Sequence, residues 1–213
     1  MVHCDHPDWI DNRLTVTGPV EQVRAFRAAA RGCGAVPWVI DYHQIEEELV
    51  ALLLRDPPER RSIGLAAAKA IAREFCDFIR DGTEQVHSAV GVSTACPFDL
   101  HNLVPVPWEI LRLGPDHPDA VAWLWANWGT TWTLRQVEEV AVAPAEQARL
   151  GPGLARVRYR FWSADWSPWP ALCHLRRDWP TLRFDLTVEY WFGIEAEVEK
   201  GKRRGQHSEC PKP

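Results

Sequence analysis

The chain has 213 residues, a formal net charge of −5 and a pI of about 5.9. Hydrophobic residues make up 46% and charged residues 25%, which is typical of a globular protein and excludes a disordered or collagenous one. The acidic balance provides no overall basic field that would attract nucleic acid. No apolar run approaches the ~18 residues that span a bilayer, and residues 1–5 lack the features of a signal peptide. We therefore expect a soluble cytoplasmic protein without membrane contact.

Cysteine and histidine spacing gives little support for covalent or metal cross-links. The six cysteines lie far apart with no Cys-x-x-Cys pair, which favours reduced, buried thiols over disulfides. Side chains able to bind zinc occur near both ends of the chain, but their spacing matches no standard zinc site. They are His3, Cys4, His6, His207 and Cys210. We predict no metal site and no cofactor.

The first half of the chain predicts a strand and three helices. Residues 13–17 alternate between polar and apolar side chains and predict a strand, followed by a helix that begins at Pro19 and ends before Gly32. Residues 41–82 predict a helical pair interrupted by two prolines, with the second helix beginning at Ser62. The second helix carries an apolar stripe that we expect to face the core. The stripe consists of Ile63, Ala67, Ile71, Phe75 and Phe78.

Strands dominate the second half. Residues 98–107 predict an extended segment that ends with two prolines. A helix is predicted over residues 119–127. Four strands with a helix among them follow. The strands are predicted over residues 131–142, 156–162, 182–191 and 194–199, and the helix runs from Ser167 to Arg177.

This order of elements predicts one domain over residues 1–213, with residues 41–82 as a helical insertion and residues 206–213 as a flexible tail. We expect an α+β fold, a two-layer ferredoxin-like sandwich with a mainly antiparallel sheet and helices on one face. Strand alternation predicts a single core face. Its members are Leu14, Val16, Val157, Tyr159, Phe161, Phe184, Leu186 and Val188.

Four segments, in this order, resemble the YubB-type ferredoxin-like family of uncharacterised proteins from plasmids, prophages and genomic islands. They are residues 9–18, 98–107, 127–132 and 161–168. The resemblance extends over residues 9–200, with the helical pair as the variable part, and it departs at Ile10, where many relatives carry a cysteine. It implies a ferredoxin-like fold and a mobile-element context, and it implies no activity.

Two segments rich in tryptophan predict a docking surface for a protein partner. In a ferredoxin-like sandwich they can meet at one end of the sheet, and large exposed aromatic groups are typical of interaction sites. The expected contact residues are Asn127, Trp128, Thr130, Trp132, Asp165, Trp166 and Trp169. We expect Trp166 or Trp169 to be substantially exposed. The alternative is that these tryptophans belong to the core, and that Asp165 or Ser167 caps the following helix.

Two other functions remain open from the sequence. A nucleic acid could bind the open sheet face through basic and aromatic side chains. These are Arg156, Arg158, Arg160 and Trp162. Opposite charges paired across strands are the simpler explanation of that face. An enzyme with Ser163 or Ser167 as nucleophile would need His101 or His174 as base, and the chain has no Gly-x-Ser-x-Gly elbow.

Overall fold

The computed structural model describes residues 8–57 and 60–189. Four strands are present in this part of the chain: β1 (Trp9–Pro19), β2 (Arg135–Val140), β3 (Leu154–Ala164) and β4 (Arg183–Glu189). They form one antiparallel sheet in the order β2-β3-β1-β4. The sheet and its helices confirm an α+β fold.

Eight helices accompany the sheet within the described residues. They are α1 (Val20–Ala29), α2 (Tyr42–Leu53), α3 (Leu65–Ala89), α4 (Leu100–Leu103), α5 (Trp108–Leu111), α6 (Pro118–Asn127), α7 (Pro144–Ala148) and α8 (Trp169–Asp178). Helix α1 packs on β1 and β3, and α8 packs on α6 and β4. None of these helices is long and apolar enough to cross a bilayer.

The predicted strand register is confirmed by the pairing in the centre of the sheet. Leu14 lies opposite Tyr159 on one side and opposite Leu186 on the other, so the apolar side chains of three strands point the same way. Val157 is buried whereas Arg158 is only half-buried. The core forms between this face of the sheet and helices α1, α6 and α8. Alternation alone therefore identified the core-facing side of β1, β3 and β4, but Val188 of the predicted core is only half-buried and lies outside the core cluster.

The segment predicted as extended over residues 98–107 contains the short helix α4 instead. Asp99 begins this helix, because its carboxylate accepts a hydrogen bond from the backbone N–H of His101 at 2.9 Å. The same carboxylate accepts the N–H of Gly34 at 2.8 Å. Asn102 donates to the carbonyls of Ala29 and Arg31, both at 2.8 Å. These side chains join α4 to the end of α1, so their role is structural.

The helical insertion forms a hairpin, as predicted, but its second helix differs in extent and in the face that it buries. Helix α3 begins after Gly64 rather than at Ser62 and continues to Ala89. It packs on α2 through small side chains at Ala68, Ala72 and Cys76. The predicted core stripe is therefore wrong, because Ile71, Phe75 and Phe78 lie exposed. Helical periodicity shows which residues share a face, but the neighbouring helix decides which face is buried.

Strand β2 is shorter than the predicted 131–142, and its pairing with β3 is irregular between Arg135 and Glu138. Cys173 is disulfide-bonded, which corrects the expectation that every cysteine is reduced. The predicted continuation of β4 to Trp191, the strand at 194–199 and the tail at 206–213 lie outside the described residues.

Candidate functional site

The two tryptophan-rich segments meet at the end of the sheet where β1 begins and β3 ends. The hydroxyl of Thr130 donates to the carbonyl of Ala164 at 3.0 Å and accepts the N–H of the same residue at 3.2 Å. Gly129 has a φ of +80°, and a Cβ there would lie 2.5 Å from Cδ of Pro170. Only glycine permits this contact between the end of α6 and the start of α8.

Several of the predicted contact residues lie inside the fold rather than on its surface. Trp128 is 1% exposed, and its indole N–H donates to the carbonyl of Val104 at 2.8 Å. Thr130 is fully buried, and the half-buried Trp169 packs against the core. Trp128 and Thr130 therefore cannot touch a partner in the folded state, and the prediction of direct contact is wrong for both.

Two tryptophans of the predicted set are exposed. Trp166 is 50% exposed and Trp132 is 48% exposed, so the expectation for Trp166 is confirmed. Trp132 stands edge-on to Trp9, with ring centroids 6.3 Å apart. The guanidinium of Arg135 lies 4.1 Å from the ring centre of Trp9 and 5.5 Å from that of Trp132. We call the cluster of Trp9, Trp132 and Arg135, together with Trp166 on the loop beside the start of β1, the Trp edge.

The sequence reasoning missed Trp9 and Arg135. Trp9 lies opposite Ala164 in the sheet, and Arg135 lies opposite Trp162. Arg135 precedes a bulge, and no local pattern shows where a bulge will turn a long side chain. The tryptophan at the start of an alternating strand was the available signal for Trp9.

Unusual backbone conformations occur on both sides of the Trp edge. Asp165 and Gln136 have φ values of +62° and +48°, and they are the non-glycine residues with positive φ among those described. The Asp165 carboxylate accepts the N–H of Asp8 at 3.1 Å, and the N–H of Asp165 donates to the carbonyl of Asp8 at 2.7 Å. This anchors the loop that carries Trp166 to the start of β1. Left-handed residues of this kind cluster at functional sites.

Buried polar groups lie at the same end of the sheet. The amide nitrogen of Asn12 donates to the hydroxyl of Ser163 and to the carbonyl of Ile10, both at 2.8 Å. The hydroxyl of Ser167 is buried without a hydrogen-bond partner among the described residues. No hydrogen bond joins Ser163 or Ser167 to a histidine in this part of the chain, so the arrangement required for a serine nucleophile is absent there.

The arginines of the open sheet face are engaged by neighbouring groups. Arg160 makes a two-point contact with the Asp11 carboxylate, the shorter distance being 2.7 Å, and Asp11 is only 5% exposed. Arg158 pairs with Glu146 at 2.7 Å, and Arg156 donates to the hydroxyl of Thr17. The half-buried Trp162 lies between Arg135 and Asp11 in the sheet. Arg160 is paired across the sheet, Arg158 is paired with helix α7, and phosphate would have to compete with both carboxylates.

A small cavity brings together Cys96, Asp99 and His101, which the sequence did not suggest. Burial raises the pKa of the Cys96 thiol and lowers the pKa of His101. The thiol donates to the carbonyl of Phe98, and Nδ1 of His101 accepts the N–H of Val106 at 3.2 Å. Both side chains are held in their neutral forms, whereas a cysteine nucleophile needs a thiolate beside a cationic group.

No group of three or more potential metal ligands occurs within residues 8–57 and 60–189. The terminal side chains His3, Cys4, His6, His207 and Cys210 lie outside the described residues. The absence of a metal site therefore stays a prediction.

No protein-family model matches the chain, and no curated protein matches it either. Among solved structures, the chain is similar to the crystal structure of protein api92 from Yersinia pseudotuberculosis, of the family model DUF1281. The two share 13% sequence identity over 89% of this chain and 92% of that chain, with a TM-score of 0.47. Function has to be argued from the site itself.

Proposed function

We propose that the protein is a non-enzymatic interaction module that docks a protein partner through the Trp edge. The observations that support this most are the exposed Trp132, whose ring lies 5.5 Å from the Arg135 guanidinium, and the exposed Trp166 on the loop that is hydrogen-bonded to the start of β1. Tryptophan and arginine are the residue types most enriched among the energetically dominant residues of protein interfaces. A cluster of such residues on a surface is typical of an interaction site.

The geometry also favours tight binding, because the site is held in place before a partner arrives. Arg135 is restrained by two ring contacts, and the Asp165 loop is fixed to β1 by two hydrogen bonds. Side chains that are already ordered lose less conformational entropy on association. The left-handed backbone at Asp165 and Gln136 fits such a role.

We further propose that the fold is ferredoxin-like and that the protein is encoded on mobile DNA. The strand order β2-β3-β1-β4, with α1 following β1 and α8 joining β3 to β4, supports the ferredoxin-like topology. The resemblance of four sequence segments to the YubB-type family supports the mobile-element context.

Nucleic acid is the alternative partner, and its site would be the open sheet face. Trp162 beside Arg135 is the feature that favours it, because aromatic and basic side chains stack on exposed bases. The pairing of Arg158 and Arg160 with carboxylates counts against it. A basic surface with free cations is what phosphate binding requires.

The proposal is tested with a partner captured from the native host and then purified. Trp166→Ala and Trp132→Ala should each weaken its binding about 30-fold, or ~2 kcal/mol, as truncation of dominant interface residues does. Trp108→Ala is the matched control, because Trp108 is also exposed but belongs to α5. An equal loss in all three variants, or a loss in none, would contradict the Trp edge as the site.

A salt series separates the two kinds of partner. Binding through aromatic contacts should change little between 50 mM and 200 mM salt, whereas six or more phosphate contacts lose about 10³-fold in affinity over that range. A steep loss with salt, reduced by Arg158→Ala, would favour nucleic acid and argue against the protein partner.

A further inference from the structure

Helix α3 carries an apolar stripe that nothing in the described part of the chain covers. We define the α3 stripe as Ile71, Phe75 and Phe78, whose spacings of four and three residues place them on one face. Phe78 is 77% exposed and Phe75 is 48% exposed. Helix α2 packs on the neighbouring side of α3, where the small buried residues lie. Large apolar groups in such a row are typical of a helix that packs against a partner.

The border of the α3 stripe is acidic. Glu74 lies three residues after Ile71 and four before Phe78, and Asp81 lies three residues after Phe78, so both carboxylates lie along the same side of the stripe. Both are exposed, and neither forms an ion pair with another described residue.

The nearby basic groups do not neutralise this border. Arg73 pairs with Glu46 of α2 at 3.1 Å, and Arg80 pairs with Asp77 at 2.6 Å. Two unpaired carboxylates therefore remain beside the apolar row. A partner surface that places basic groups there would gain both apolar burial and favourable charge contacts.

We propose that the α3 stripe docks an amphipathic helix of a partner protein, with basic side chains bordering its apolar face. Such helices present apolar residues every three or four positions to a complementary surface. A second copy of the chain fits poorly, because an antiparallel two-fold pairing of α3 would bring the two acidic borders together. An anionic membrane is disfavoured by the same carboxylates. This site is separate from the Trp edge and does not depend on it.

The probe is a synthetic amphipathic peptide of about 18 residues, or five helical turns, with leucines on one face and lysines along both borders. A matched peptide carries glutamates in place of the lysines. In calorimetric titrations with the full chain, we expect the lysine peptide to bind at least about tenfold more tightly than the glutamate peptide. Phe78→Ser and Glu74→Lys should each weaken the lysine peptide about tenfold.

The matched control is Glu84→Lys, which changes the charge equally on the same helix. Glu84 lies nine residues after Phe75, and therefore on the opposite side of α3. Binding should be unchanged in this variant. Phe75→Ser serves as a second variant if Phe78→Ser unfolds in a thermal melt.

Three results would overturn the proposal. If both phenylalanine variants bind the lysine peptide as tightly as the parent chain does, charge alone attracts the peptide. A dimer in sedimentation equilibrium that Phe78→Ser dissociates would assign the stripe to a second copy of the chain. Flotation with phosphatidylcholine vesicles that Phe78→Ser abolishes would assign it to a lipid surface.

Discussion

Two tryptophans show how environment decides the role of a residue. Trp128 is buried and hydrogen-bonded, whereas Trp166 is half exposed. Trp128→Ala should lower the free energy of unfolding by ~3–5 kcal/mol, because it leaves a cavity and an unpaired carbonyl at Val104. Trp166→Ala should cost less than ~1 kcal/mol. Urea denaturation of both variants tests this, and equal losses would contradict the assignment of Trp166 to the surface.

His101 makes the stability of the folded protein depend on pH. Burial lowers the pKa of His101 from its usual 6.5, so the folded state favours the neutral ring. In the unfolded chain the ring takes up a proton near pH 6.5, and the folded state takes it up only at lower pH. His101 therefore contributes stability above pH 6.5. This stability is lost as the pH falls from 6.5 to the lower pKa of the folded state. Unfolding measured from pH 7.5 to 5 should show this loss, and His101→Gln should reduce its slope. An unchanged slope in that variant would assign the pH dependence to other groups.

The burial of a single side chain could be predicted from the sequence only where a local pattern encodes it. Alternation correctly separates Val157 from Arg158. The burial of Trp128 depends on the carbonyl of Val104, 24 residues away, and the placement of Arg135 depends on a bulge. No spacing in the sequence encodes such contacts, so composition suggested the Trp edge without identifying all its members.

The contact between the end of α6 and the start of α8 can be tested at Gly129. Gly129→Ala places a Cβ against Pro170 and forces a left-handed backbone, so it should lower stability by ~2 kcal/mol or more. Gly151→Ala is the control, because Gly151 also has positive φ but has open space around it. It should cost only ~1 kcal/mol. Equal losses in denaturation would show that the packing of α6 on α8 adds nothing beyond backbone strain.

The helices illustrate a second limit of sequence reasoning. Periodicity predicted that residues 41–82 form a helical pair, and it placed Ile71, Phe75 and Phe78 on one face. It could not show that α2 would pack on the alanines next to that face. The helix α4 was missed because a single cap, Asp99, begins a helix too short to have periodicity.

At the scale of the whole molecule, we expect the stability of the α2–α3 hairpin to be largely independent of that of the sheet. The described core cluster contains no residue from 42–89, and it joins the sheet to α1, α6 and α8. The two proposed surfaces consequently belong to different structural units. One consists of residues around the end of the sheet, and the other lies on an appended helix.

This separation predicts the effect of removing the hairpin. Replacing residues 42–89 by a flexible linker of about six residues should leave the sheet folded, with a free energy of unfolding within about 1 kcal/mol of the parent. The hydrogen bond between His87 and the carbonyl of Trp38 would be lost, but no core contact would be. The partner of the Trp edge should bind with unchanged affinity, while the lysine peptide should no longer bind. Urea denaturation and titration of both ligands measure these outcomes. If the shortened chain fails to fold, or if it loses the Trp-edge partner, the two units are coupled and each surface depends on the other.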